Sequence, residues 1–201
     1  MNFLKRLFGS TKTVSKQALP EPQEADQEEI AIDLLFLQEF KKNKGKFLYC
    51  TTYEEVSQHL DAILEENSWR AEVVLCFSEV LKKAHGDQLL LARDAPASKI
   101  FFTECEHLIA DQGSVLVCSN QLKSIKQEEL PENLIIFAKT SQIVRSISSA
   151  LKSIKQRYQG SPLPTKITSF KNNQITEENQ DDFMHYGSKT KNLYLLLLED
   201  Y

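Results

Sequence analysis

The chain has 201 residues, 41% of them hydrophobic, with 24 basic against 28 acidic side chains and a formal charge of −4. That length suits one domain with a sizeable core. A net negative charge with scattered basic residues excludes nucleic acid as the main partner, because phosphate binding needs a basic patch or stripe. No segment approaches the ~20 apolar residues of a bilayer span, and the opening run 1–9 is too short for a signal-peptide core. The protein is therefore expected in the cytoplasm, without stable membrane insertion.

Residues 1–27 read as a flexible N-terminal tail. Phe3, Leu4, Leu7 and Phe8 form a short amphipathic patch with Lys5 and Arg6, followed by a polar stretch with Pro20, Pro22 and many carboxylates that has little to bury. From Glu28 the pattern turns helical, with Ile30, Leu34 and Leu37 on one stripe and Ile32, Phe36 and Phe40 on another, until Asn43 and Gly45. Apolar residues cover more than half of that helix, which predicts burial inside the domain or against another subunit.

Short apolar runs then alternate with amphipathic segments. Phe47–Leu48–Tyr49–Cys50 reads as a strand, and Thr52 with Glu55 is a capping-box signature for a helix through Val56, Leu60 and Ile63. Val73–Val74–Leu75–Cys76 is a second strand, with Ser78 placed to cap a short helix. Ile100–Phe101–Phe102, the Ser114–Cys118 run and the Leu134–Ala138 run are further strands; the second is entered through a turn at Asp111–Gln112–Gly113. Glu104–Cys105–Glu106–His107 reads as a helix start. One helical stripe runs from Ile143 and Val144 through Ile147, Ala150 and Ile154 to Tyr158, closed by Gly160. A weak strand lies at 166–170. The final run, Leu193 to Leu198, is apolar on both faces. Near-continuous apolar runs separated by helices predict an α/β domain over 28–201, three-layered, with a mainly parallel sheet and helices on both faces.

In such a sheet ligands bind beyond the carboxyl ends of the strands. The candidate ends are Thr51–Thr52, Ser78, Ser119–Asn120–Gln121 and Thr140–Ser141, although helix capping alone accounts for such residues. Six glycines form no nucleotide-binding loop, and Cys50, Cys76, Cys105 and Cys118 are too widely spaced for an iron–sulfur motif. They are expected as reduced core thiols. His59, His85, His107 and His185 are dispersed, so no metal and no bound cofactor is expected.

Two stretches resemble the lactate-utilisation (LUD) domain. The segment from Glu104 through Ala110–Asp111–Gln112–Gly113–Ser114 to Val117 is similar to the family's acidic glycine turn feeding a buried strand. The spacing to Leu130–Pro131–Glu132, and Tyr186–Gly187–Ser188 before the last apolar run, are similar too. Three features depart from the family: the Gly-Pro-Ser-type segment is missing between Ser161 and Asn173, the His-Gly-Pro run reads Tyr186–Gly187–Ser188, and Leu134 replaces a histidine.

The resemblance implies a fold similar to that of ribose-5-phosphate isomerases and CoA-transferases. It also implies an accessory role in bacterial L-lactate oxidation to pyruvate, beside iron–sulfur or ferredoxin-like partners. Its ligand-binding residues are expected to be Asp111, Gly113, Ser114, Ser119 and Asn120, with Gly187 on the opposite wall; no catalytic residue is assigned. The competing expectations are a non-enzymatic interaction module, with a partner or as a homodimer, docking through the tail and the helix at 28–43, and a binder of an anionic small molecule such as a phosphosugar, folate or CoA ester.

Overall fold

The computed structural model describes residues 30–92, 96–172 and 192–200. The expected tail and Gly187 lie outside the described residues. The chain runs through α1 (Ile32–Lys42), β1 (Lys46–Cys50), α2 (Tyr53–Glu66), β2 (Val73–Leu75), α3 (Glu79–His85), β3 (Leu90–Leu91) and β4 (Ile100–Glu104). It continues through β5 (His107–Ile109), β6 (Ser114–Val117), α4 (Ser119–Leu122), β7 (Asn133–Lys139), β8 (Ile143–Val144), α5 (Ile147–Arg157), β9 (Thr168–Phe170) and β10 (Asn192–Leu198).

The six-stranded sheet has the order β1-β10-β7-β4-β2-β3, and every described pairing in it is parallel. The C-terminal strand is threaded between β1 and β7, which explains a run apolar on both faces. Leu193, Leu195 and Leu197 pack into one core with Leu134, Ile136 and Phe101; Tyr194, Leu196 and Leu198 pack into another with Ile135, Phe102 and Val74. This two-residue alternation is the pleat of a strand buried on both sides.

Helices cover both faces. α2 and α3 supply Val56, Leu60, Ile63, Leu64 and Leu81 to one core, and α1 supplies Phe36, Leu37 and Phe40 to the other. Thr52 and Ser78 cap as the sequence predicts: their hydroxyls accept from the Glu55 and Leu81 amides, each at 3.2 Å. α1 is anchored in the domain by Phe36, Leu37 and Phe40, with Ile32 and Leu35 packed against the same core.

A second sheet, in the order β8-β5-β6-β9, was not expected. It is mixed: β5 and β6 form an antiparallel hairpin, β9 pairs antiparallel with β6, and β8 runs parallel to β5. One face, with Leu108, Val115 and Val117, joins the α1 core; the other, with Ile109 and Leu116, lies under Ala150 and Ile154 of α5. Three expectations are thereby corrected. The Ser114–Cys118 run is not a strand of the main sheet. Residues 104–107 do not start a helix, because His107 pairs with Leu116. Ile143 and Val144 leave the helical stripe to pair with Leu108 and Ile109, and the helix begins only after Ser146, whose hydroxyl accepts from the Ser149 amide at 3.3 Å.

Gly113 makes the hairpin turn with φ of 55°, a left-handed conformation suited to glycine. A Cβ there would run into the backbone of Glu39 and Phe40. Asn43 clamps the same turn by donating to the Gln112 and Gly113 carbonyls at 2.7 and 3.0 Å. All four cysteines are buried and unpaired. Among the described residues, no helix is long and apolar enough to cross a membrane.

Candidate functional site

β4 and β7 are neighbours in register, with Glu104, the last residue of β4, opposite Phe137, and β7 runs on two residues to Lys139. There, where the chain leaves the large sheet for the small one, a cavity of about 270 Å³ opens, lined by Glu104, Cys105, Glu106, Gln121, Phe137, Lys139, Gln142 and Arg157. Strands deliver Glu104, Phe137 and Lys139, the β4–β5 link delivers Cys105 and Glu106, and the last turn of α5 delivers Arg157.

Glu106 organises one wall. Only 3% exposed, it accepts at Oε2 from Arg157 Nη1 at 2.8 Å. Its Oε1 accepts from the Gln121 amide at 3.1 Å, the Cys118 thiol at 3.2 Å and the Asn120 amide at 3.4 Å. A buried carboxylate needs such pairing and hydrogen bonding to remain charged. The arrangement uses both oxygens, so Glu106 holds its neighbours in place. Burial pushes the Cys118 thiol up to about 11, and the Glu106 carboxylate acts in the same direction. Cys118 is thus a thiol donor at neutral pH, not a thiolate nucleophile. Asn120 also donates to the Tyr158 hydroxyl, whose ionisation is pushed up by burial and then by Glu106.

Gln142 stitches the floor. Its side-chain amide donates to the Cys105 carbonyl at 2.7 Å, and its Oε1 accepts from the Lys139 backbone amide at 2.8 Å. Its own carbonyl meets His107 Nδ1 at 3.2 Å, while His107 Nε2 is buried without a partner among the described residues. Burial lowers the His107 imidazole below the ordinary histidine value, so it is neutral at pH 7. Beside the cavity, Asp200 follows β10 and accepts from the Thr140 hydroxyl at 2.9 Å and the Ser141 hydroxyl at 2.6 Å. Burial opposes ionisation there, but these hydrogen bonds, the Ser141 amide and the Lys139 charge hold Asp200 below the usual carboxylate range.

A second constellation stands at the end of β1. The Cys50 thiol and His59 Nδ1 are 3.3 Å apart, with Cys50 pushed up to about 12 by burial and by Glu55. Among the described residues no three His, Cys, Asp or Glu side chains converge as a metal site.

The residues expected from the sequence separate into two groups at opposite ends of β6. Asp111 is exposed, Gly113 packs under α1, and Ser114 is fully buried with its hydroxyl unpartnered. Ser119 accepts from the Thr165 amide at 3.0 Å, and Asn120 reaches the cavity through Glu106. None of the five lines the cavity directly. Sequence reasoning missed Glu104 and Lys139, although each sits at the polar end of an apolar run, where the strand-end rule points. Arg157 gave no such signal, because only the packing of α5 brings it there.

The fold and this cavity together define an α/β protein with a polar strand-end pocket between a parallel and a mixed sheet. Residues 35–198 match the LUD domain, and the chain belongs to the LUD domain family. A solved structure of a DUF162 family protein from Deinococcus radiodurans aligns with a TM-score of 0.57 at 13% identity, covering 83% of this chain and 96% of that one. At that identity the likeness shows the fold alone. No curated protein matches the chain significantly.

Proposed function

We propose that this protein is an accessory member of the lactate-utilisation system, acting in the cytoplasm beside iron–sulfur or ferredoxin-like partners and binding a small organic anion in the strand-end cavity. The observation that carries the reading is the pair of cations, Lys139 and Arg157, lining one cavity at the carboxyl ends of adjacent parallel strands. Family membership supplies the association with lactate; the cavity supplies a place for a carboxylate. Arg157 gives one hydrogen bond to Glu106 among the described residues, leaving further guanidinium donors for a planar anion. At about 270 Å³ the cavity falls below the range of about 300–1,000 Å³ for drug-sized ligands, which favours a small acid over a folate or CoA ester.

Deleting the gene is expected to slow growth on L-lactate, with wild type restoring it and the double variant Lys139→Ala, Arg157→Ala failing to do so. Normal growth of the deletion strain on lactate would overturn the proposal.

A further inference from the structure

We infer that the cavity is bipolar and selects a small acid that also carries a hydrogen-bond donor, a hydroxyl or an ammonium, within a few atoms of its carboxylate. The inference rests on the anion-site reading and adds what else the ligand must present.

Two opposite charges line the cavity without an ion-pair partner among the described residues: the Glu104 carboxylate and the Lys139 ammonium. Both are half-buried, where an unpaired charge costs more than on an open surface. They make no ion pair with each other, so neither neutralises the other.

Two of the lining groups are preset by a second residue. The Ser78 hydroxyl donates to Glu104 Oε2 at 2.7 Å, and the Ser78 oxygen is itself fixed as the cap of α3, accepting from the Leu81 amide at 3.2 Å. One Glu104 oxygen is thereby occupied, and no described residue donates to the other. Glu106, saturated by four donors, fixes the Arg157 guanidinium, which shares the cavity lining with Lys139. Glu106 and Ser78 are positioning residues; Glu104, Lys139 and Arg157 are the groups that face a ligand.

The free Glu104 oxygen can only accept. A 2-hydroxy or 2-amino acid donates to it while its carboxylate meets Lys139 and Arg157. A 2-oxo acid presents a carbonyl oxygen, placing acceptor against acceptor, and a plain acid leaves Glu104 unpaired. The pocket therefore discriminates by the group next to the carboxylate, and Glu104 is the specificity-determining residue.

Calorimetric titration of the full chain with lactate, alanine, pyruvate and propionate tests this. Lactate or alanine is expected to bind more tightly than both pyruvate and propionate by about tenfold or more, the worth of one charge-assisted hydrogen bond. Glu104→Gln, whose amide can donate to a carbonyl, is expected to erase that preference. Similar affinities for all four acids on the wild-type protein would overturn the inference and leave the anion site standing, as would a preference that survives in folded Glu104→Gln. Binding of none of the four would overturn the anion-site reading itself, and this inference with it. The wild-type panel decides alone should the variant fail to fold.

Discussion

The two sheets are built on different terms. The six-stranded sheet is apolar through its centre: Leu193, Leu195, Leu196, Leu197, Ile135 and Ile136 are all fully buried. The small sheet and its approaches hold most of the buried polar groups, among them Glu106, His107 and Ser114. Two of these, the His107 Nε2 and Ser114 hydroxyl, have no partner among the described residues. Hydrophobic burial alone specifies the first sheet. The second is specified by a glycine turn, an asparagine clamp and a carboxylate saturated with donors. The cavity lies where they meet, with Glu104 and Lys139 from strand ends of the first sheet and Glu106 from the approach to the second.

Substitutions can break this contrast. Gly113→Ala combines backbone overlap on α1 with a left-handed φ and is expected to destabilise by about 4 kcal/mol, read from the urea midpoint. A mild effect would mean that the hairpin is not pinned beneath α1. Leu195→Ala in the centre of the large sheet is expected to cost about 3 kcal/mol through cavity formation, while leaving the affinity of whatever acid binds unchanged once the protein is folded. Arg157→Ala reverses the pattern. It leaves the buried Glu106 carboxylate without its cation, yet the arginine side chain is 49% exposed, so about 2 kcal/mol of stability is expected to go, below the usual cost of breaking a fully buried pair. Acid binding should fall more than stability does.

Acid titration sharpens the comparison further. Burial lowers both His107 and His85 below the ordinary histidine value. As pH falls below about 6.5 the unfolded chain takes up these protons before the folded one does. Their contribution is therefore intact above that pH and is lost progressively as pH falls toward the lowered folded values. Urea midpoints between pH 8 and 5 should decline on the acid side, and His107→Gln should flatten part of that slope. An unchanged slope would remove His107 from the account. The smallest effect is expected at Ser114. Removing its unpartnered, fully buried hydroxyl in Ser114→Ala should be neutral or stabilising by about 1 kcal/mol at most, against the usual cost of truncation.

The main sheet was legible because period-two burial on both faces leaves continuous apolar runs, and the caps at Thr52 and Ser78 could be named because their chemistry spans only three residues. The small sheet was not legible. The Ser114–Cys118 and 166–170 runs read as strands, but not as a sheet of their own; β5 has three residues and β8 two, too short for periodicity to register, and Ile143–Val144 fits a helical stripe equally well. Site residues followed the same divide. The turn at Gly113 stood out, and the structure gives its glycine a packing reason, the close approach of α1. Glu104 and Lys139 were visible only as the polar ends of strands whose adjacency the sequence does not state.

By itself the sequence determined the α/β class, the burial of the last strand and of α1, and the places where helices start, since each depends on contacts within a few residues or on alternation along one segment. Tertiary structure alone decided that β10 threads between β1 and β7, that a second sheet splits off after Glu104, and that Arg157 from α5 meets Glu106 across 51 positions of chain. Long-range pairing depends on which surfaces fit one another in space, and no local pattern records that fit.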